Sequence, residues 1–179
     1  MGRRRRGQDV HGWVVLDKPR GLGSTPALGK VRRILDARKA GHAGTLDPLA
    51  EGLLVVGLGE ATKLISRIMY APKTYQFVIG LGEERDTGDL EGTATGFCDH
   101  RPSLEDVAGI LDQFVGSISQ IPPRYSAIME NGQRAYDRAR AGEEFALKAR
   151  DVEVHELKLL GDSDEGPLLE VTCGKGLYV

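Results

Sequence analysis

Nowhere in the 179 residues does an apolar run approach the roughly 20 residues that would span a bilayer. The start, Met1-Gly2-Arg3-Arg4-Arg5-Arg6, carries no apolar stretch after its basic residues and so does not read as a secretion signal. Cysteine is scarce. Cys98 and Cys173 lie far apart and form no C-x-x-C spacing, which favours two reduced thiols over a disulfide or a metal site. His11, His42, His100 and His155 are isolated from one another, so zinc is not expected. These absences describe a soluble chain of a reducing compartment, placed in the cytoplasm. With 40% hydrophobic residues it can bury the core of one large domain, or of one domain with a small appendage.

Net charge is only -2, yet it is unevenly spread. Residues 1–39 hold 11 Lys/Arg against Asp9, Asp17 and Asp36, and the remaining residues hold 13 Lys/Arg against 23 Asp/Glu. Such asymmetry suits a chain that meets a polyanion on one face. The Arg3–Arg6 run fits a solvated, disordered tail equally well, and residues 1–10 are taken as that basic flexible tail.

Gly12–Leu16 is a short β-rich run stopped by the turn residues of Asp17-Lys18-Pro19-Arg20-Gly21. From Thr25 to Leu35, Leu28, Val31 and Leu35 recur at helical spacing with Lys30, Arg32 and Arg33 on other faces, which predicts an amphipathic helix with a basic side. Pro48 disfavours helical geometry at Asp47 and can start a helical turn through Glu51. Leu53–Gly59 is an apolar run of strand length, buried on both faces if it is a strand. A helix is expected over Ala61–Tyr70, a strand over Thr74–Gly80, an acidic loop over Gly82–Gly92, and a strand over Thr93–Phe97. Ser103 should cap a helix running from Leu104 to about Val115. Ile121–Ala127 reads as rigid and extended, Ala135–Ala141 as a helix, and Val152–Leu160 and Leu168–Cys173 as two strands joined by a Gly/Asp/Ser turn. Strands and helices without a regular βαβ rhythm indicate an α+β domain.

A Gly-rich loop carrying His42 and Asp47 between a basic helix and a buried strand is where an active site would be placed, although Gly41, Gly44 and Asp47-Pro48 alone serve turns just as well. The string Gly41-His42-Ala43-Gly44-Thr45-Leu46-Asp47-Pro48-Leu49-Ala50-Glu51-Gly52-Leu53-Leu54 closely resembles the active-site motif GHTGTLDPLATGLL of TruB-type pseudouridine synthases. Leu16–Gly21 resembles the family's KPxG segment, Gly59–Lys63 its GEATK, Lys73–Tyr75 its KxY, and Pro122–Ala127 its PPxYSA. Asp86–Gly92 and Arg134–Arg140 extend the likeness. All occur in the family's order, and the spacing matches its bacterial branch. Collinear motifs are a stronger signal than any one short pattern.

The resemblance implies a pseudouridine synthase catalytic fold with a central, mostly antiparallel sheet over residues 11–179. The activity implied is isomerisation of uridine to pseudouridine at position 55, in the tRNA T loop, with no cofactor and no metal. The base must leave its stack. By the same resemblance Asp47 is the catalytic carboxylate, attacking C1′ or removing the C2′ proton. Tyr75 stacks on the flipped uracil, His42 fills the vacated space, Tyr178 lies close to the site, and Lys18 is a structural or phosphate-side contact. The partner expected is the tRNA T-arm stem-loop, met by a monomer. Ala43, Glu51, Glu84-Arg85, Met129 and Leu177 depart from the usual pattern. Val179 stops one residue before the arginine that pairs with the catalytic Asp in the family, and the PUA-like RNA-binding module lies beyond, so residues 1–179 alone are expected to be inactive. The competing reading is a catalytically silent tRNA-binding or RNA-folding module.

Overall fold

Burial alternates along Gly12–Lys18 (β1), while apolar residues run almost continuously through Gly52–Leu58 (β3). The two pair antiparallel, with Val14 opposite Val56 and Leu16 opposite Leu54. Ala40–His42 (β2) adds to the other edge of β3, giving the order β1-β3-β2. Helix Ser24–Ile34 (α1) lays Ala27 and Val31 onto one face of this sheet, where they join Leu54, Val56 and Leu58 in a core that excludes water. β3 is buried on both faces only in its second half, since Leu53 is largely exposed. The helix expected over 61–70 opens as a 3-10 turn, Gly59–Leu64, and becomes α-helical only at Ile65–Tyr70 (α2). Gly57 sits beneath that 3-10 turn. A Cβ there would stand 3.2 Å from the Ala61 carbonyl, so the close approach needs glycine.

In this computed structural model, described over residues 7–123, 125–126, 128–130, 132–143 and 145–179, the chain divides into two compact units, one through Ala71 and one from Pro72 to Val179. The Arg3–Arg6 run and positions 124 and 127 of the Ile121–Ala127 segment lie outside the described residues. Within the tail expected through residue 10, Gln8 donates its N–H to Asp36 O at 2.6 Å and accepts from Arg38 N at 2.9 Å, and Val10 packs on the core.

In the second unit Lys73–Val78 (β4) pairs with a later hairpin. The short hairpin Glu83–Arg85 (β5) and Ala94–Phe97 (β6) follows, with β5 lying inside the stretch expected to be acidic loop. Helix Leu104–Ile110 (α3) continues as a 3-10 turn to Phe114. Gly116–Gln120 (β7), Met129–Glu130 (β8), Gln133–Arg134 (β9), helix Ala135–Arg140 (α4), Arg150–Ser163 (β10) and Gly166–Cys173 (β11) complete it. The main sheet runs β4-β11-β10-β7, and among the described residues the pairings between these strands are antiparallel, whereas the isolated Gln8–Ala37 bridge is parallel. Alternate residues of β11, Pro167, Leu169, Val171 and Cys173, are buried, and Val107 and Leu111 cover one end of the sheet beside Leu169. The result is the expected α+β class, its strands forming a three-stranded sheet, a four-stranded sheet and two two-stranded hairpins.

Ser103 caps α3 through a reciprocal box. Its Oγ accepts from Asp106 N at 3.1 Å while the Asp106 carboxylate accepts from Ser103 N at 3.0 Å. The Ser103 hydrogen bonds hold the Asp106 carboxyl below its ordinary value. A lowered folded value stabilises above the unfolded value and is lost as pH falls through the folded one. Ser103→Ala should therefore lower the thermal midpoint by a few degrees at about pH 7, and the gap to wild type should narrow toward about pH 2 in calorimetry.

Candidate active site

The loop between β2 and β3 has few ways to hold itself. Gly44 adopts φ 106, open only to glycine in practice, and residues 45–51 form no helix or strand. Its one local turn is the Ala50 N–H donated to Asp47 O at 3.1 Å. The rest of its backbone is gripped from outside by residues 18–24. Ser24 Oγ donates to Leu46 O and accepts from Leu46 N, both at 2.8 Å. Gly21 N donates to Pro48 O at 2.6 Å, and Lys18 Nζ donates to Ala50 O. Residues 18, 21 and 24 thus take the carbonyls of residues 50, 48 and 46, with Asp47 between the last two. Upstream, Ala43 N donates to Val55 O at 2.9 Å and ties the loop to β3. The Asp47 side chain itself is exposed on this framework.

Lys18 is fully buried, and its three ammonium hydrogens are matched by three acceptors: Pro19 O at 3.1 Å, Leu22 O at 2.6 Å and Ala50 O. A buried ammonium is tolerated only when its donors are satisfied. The expectation was a structural or phosphate-side contact. Every donor of Lys18 is spent on backbone, so it is a structural clamp between the turn after β1 and the Asp47 loop. His42, at the end of β2, is partly exposed and bonds through Nδ1 to Gly44 O. Because a carbonyl only accepts, Nδ1 carries the proton and Nε2 is left as an acceptor.

In the second unit, Tyr75 sits on the inward face of β4 opposite Val171 and packs against Val154, Val171 and Cys173 while remaining partly exposed. Burial, and secondarily the neighbouring Cys173 thiol, pushes its phenol above the usual tyrosine range, so it stays neutral near pH 7. Beyond β11 the chain crosses the end of the sheet. Gly174 N donates to Glu153 O at 2.8 Å, and Leu177 joins the core. At Tyr178 the side-chain amide of Gln120 then grips the backbone, Nε2 donating to Tyr178 O at 2.8 Å and Oε1 accepting from Tyr178 N at 3.0 Å. Asp47, His42 and Lys18 thus share the first unit, and Tyr75 and Tyr178 the second. Ser24, Gly21 and Gln120 were not singled out from the sequence. No local pattern marks Ser24, because a serine at a helix start reads first as a cap. Among the described residues, no group of three or more His, Cys, Asp or Glu side chains comes together as a metal would need.

Residues 32–179 match the family model described as TruB family pseudouridylate synthase, N-terminal domain. The chain is 49% identical over 177 residues to tRNA pseudouridine synthase B of Bartonella bacilliformis, covering 98% of this chain and 55% of that protein. It is 52% identical to the protein of the same name from Bradyrhizobium diazoefficiens, covering 98% of this chain and 51% of that one. It spans about half the length of these curated relatives. Among solved structures, a Cbf5-Nop10-Gar1 complex aligns with a TM-score of 0.67 at 25% identity, covering 94% of this chain and 41% of that one. An H/ACA RNP bound to a substrate RNA aligns with a TM-score of 0.60 at 24% identity, covering 93% of this chain and 39% of that one, and speaks to the fold alone.

Lys18→Met keeps the aliphatic stem and removes the ammonium, leaving three carbonyls without their donor. It should cost roughly 1.5–3 kcal/mol in chemical denaturation, the range for hydrogen bonds to a charged group. Unchanged stability with weaker, less salt-sensitive RNA binding would instead make Lys18 a phosphate contact.

Proposed function

The chain belongs to the TruB family of pseudouridylate synthases, and on that basis we propose that it isomerises uridine to pseudouridine in the T loop of tRNA, at position 55, with Asp47 as the catalytic carboxylate. The observation that carries the reading is the Asp47 loop: a carboxylate within the GHAGTLDP string, on backbone held on both sides by Ser24 and Gly21. Catalytic groups need such external support, because a loop free to wander by an ångström loses about a hundredfold in rate.

The reaction breaks the N1–C1′ bond, turns the base, and forms a C5–C1′ bond, with the C5 proton lost and N1 protonated. Atoms are conserved and no electrons are gained or lost overall, so neither a redox partner nor a group donor is required. Asp47 acts at the ribose, either adding to C1′ or taking the C2′ proton, and both routes start from the ionised carboxylate. The flipped uracil would stack on Tyr75, whose neutral phenol ring offers a face without charge, and Tyr178 would stand close to the nucleotide. His42, with Nε2 open as an acceptor, would occupy the space that the nucleotide leaves. Exposed Lys30 and Arg33 on α1 would meet phosphates of the T arm.

Asp47→Asn keeps the shape of the side chain and removes its charge and basicity. In a version extended to the length of its relatives, it should abolish pseudouridine formation on a T-arm stem-loop while RNA affinity stays within about tenfold. Turnover near the wild-type rate would remove Asp47 from the mechanism.

Tyr75 separates stacking from packing. Tyr75→Phe should retain RNA affinity, whereas Tyr75→Ala should weaken it by roughly 1–3 kcal/mol per folded molecule in fluorescence titration, the worth of one base–aromatic stack. Equal affinity of the two variants would leave Tyr75 as a core residue of β4 only.

A further inference from the structure

We propose that Ser24 is a positioning residue for Asp47, its hydroxyl setting where the next residue's carboxylate stands by bonding Leu46 in both directions; this rests on the assignment of Asp47 above. Leu46 O, the acceptor, belongs to the same planar peptide unit as the nitrogen and Cα of Asp47. Holding that oxygen at 2.8 Å and the Leu46 N–H at 2.8 Å fixes the peptide plane that leads into Asp47, and so the direction in which the carboxylate leaves the backbone. Only a group that donates and accepts at one atom can make both bonds, which narrows the choice to a hydroxyl. Ser24 is 3% exposed, so water has little access to substitute for it.

The residue is also withdrawn from its ordinary task. A serine at a helix start normally accepts from backbone N–H groups of the first turn. Here the cap position is Gly23, with no side-chain cap, and Ser24 is the first helical residue, its hydroxyl turned to a residue 22 positions away. The support behind it is stiff, because Ala27 and Val31 of the same helix are buried in the core. On the far side of Asp47 the loop is held at Pro48 by Gly21 and at Ala50 by Lys18. Upstream of Leu46 the next anchor to a strand is Ala43 on Val55 O, with Gly44 between. Loss of the Ser24 hydroxyl would leave the stretch between Gly44 and Asp47 held to its surroundings mainly through its two ends.

The experiment pairs Ser24→Ala and Ser24→Thr in a version extended to the length of its relatives, each measured for pseudouridine formation by tritium release from C5-labelled uridine in a T-arm RNA and for hydrogen exchange at the Leu46 amide. Alanine leaves only a hydroxyl-sized gap and should fold. It is expected to lower kcat about tenfold to a hundredfold while KM stays within about twofold, with faster exchange at Leu46 and unchanged protection in β1 and β3. Threonine, which keeps the hydroxyl, should restore both exchange protection and most of kcat. Lost Leu46 protection with wild-type kcat would overturn the proposal, as would a fall in kcat with protection intact. A loss of protection throughout the first unit with normal kcat per folded molecule would also overturn it, by making Ser24 merely structural. If the wild-type protein forms no pseudouridine, the assignment of function fails instead, and the Leu46 exchange still reports on the clamp.

Discussion

Three grips on five residues organise the first unit: the hydrogen bonds that residues 18, 21 and 24 make to the backbone at 50, 48 and 46. A loop with Gly44 and Pro48 in it has little regular structure of its own, and its backbone polar groups would otherwise need water. Supplying donors from a neighbouring segment satisfies them and removes the freedom that an exposed Asp47 would inherit. The cost falls on Lys18, whose ammonium is taken wholly out of water. A hydrophobic residue could fill the space with less desolvation, but it could not tie Pro19, Leu22 and Ala50 to one point. What burial of this charge secures is a particular geometry of the loop relative to β1.

The second unit solves a similar problem with different means. Its four-stranded sheet has alternate burial along β4 and β11, so Tyr75 has its ring against Val171 and Cys173 by ordinary sheet packing. The segment after β11 belongs to no strand, yet the Gln120 amide pairs with both backbone groups of Tyr178 as a neighbouring strand would. A side chain thereby does the work of a β-bridge where the sheet has run out of backbone partners. In both units a side chain bonds the main chain on or beside a proposed site residue, Ser24 next to Asp47 and Gln120 at Tyr178.

The charge distribution acquires a structural basis in α1. Arg32 turns back to donate from Nε to Ala37 O at 3.1 Å near the C-terminal end of the helix, and Arg38 pairs with Asp9 at 3.0 Å. These local engagements reduce the cationic face to fewer groups than the raw count of the first 39 residues suggests. Lys30 and Arg33 stay exposed on a helix whose opposite face is locked into the core. Such a rigidly mounted pair of cations suits a fixed array of phosphates.

From the sequence alone the α+β class, the family, the helix over 24–34 to within a residue and the capped start of α3 at Ser103 were all legible, because local periodicity, cap chemistry and collinear motifs carry them, and the same motifs singled out the Asp47 loop as the candidate site. The strand Gly116–Gln120 was not, since Gly-Ser-Ile-Ser-Gln has too few apolar residues to show a strand period and forms only because β10 offers an edge. Nor was the passage from 3-10 to α-helix within residues 59–70, which follows packing against β3. The division of the strands among their sheets, the burial of Lys18 and the tasks of Ser24 and Gln120 were decided by tertiary structure. Each of those three side chains bonds backbone groups brought near by the fold, 32, 22 and 58 residues away. A main-chain carbonyl is the same at every position of a sequence, so only folding can say which one a given donor will meet.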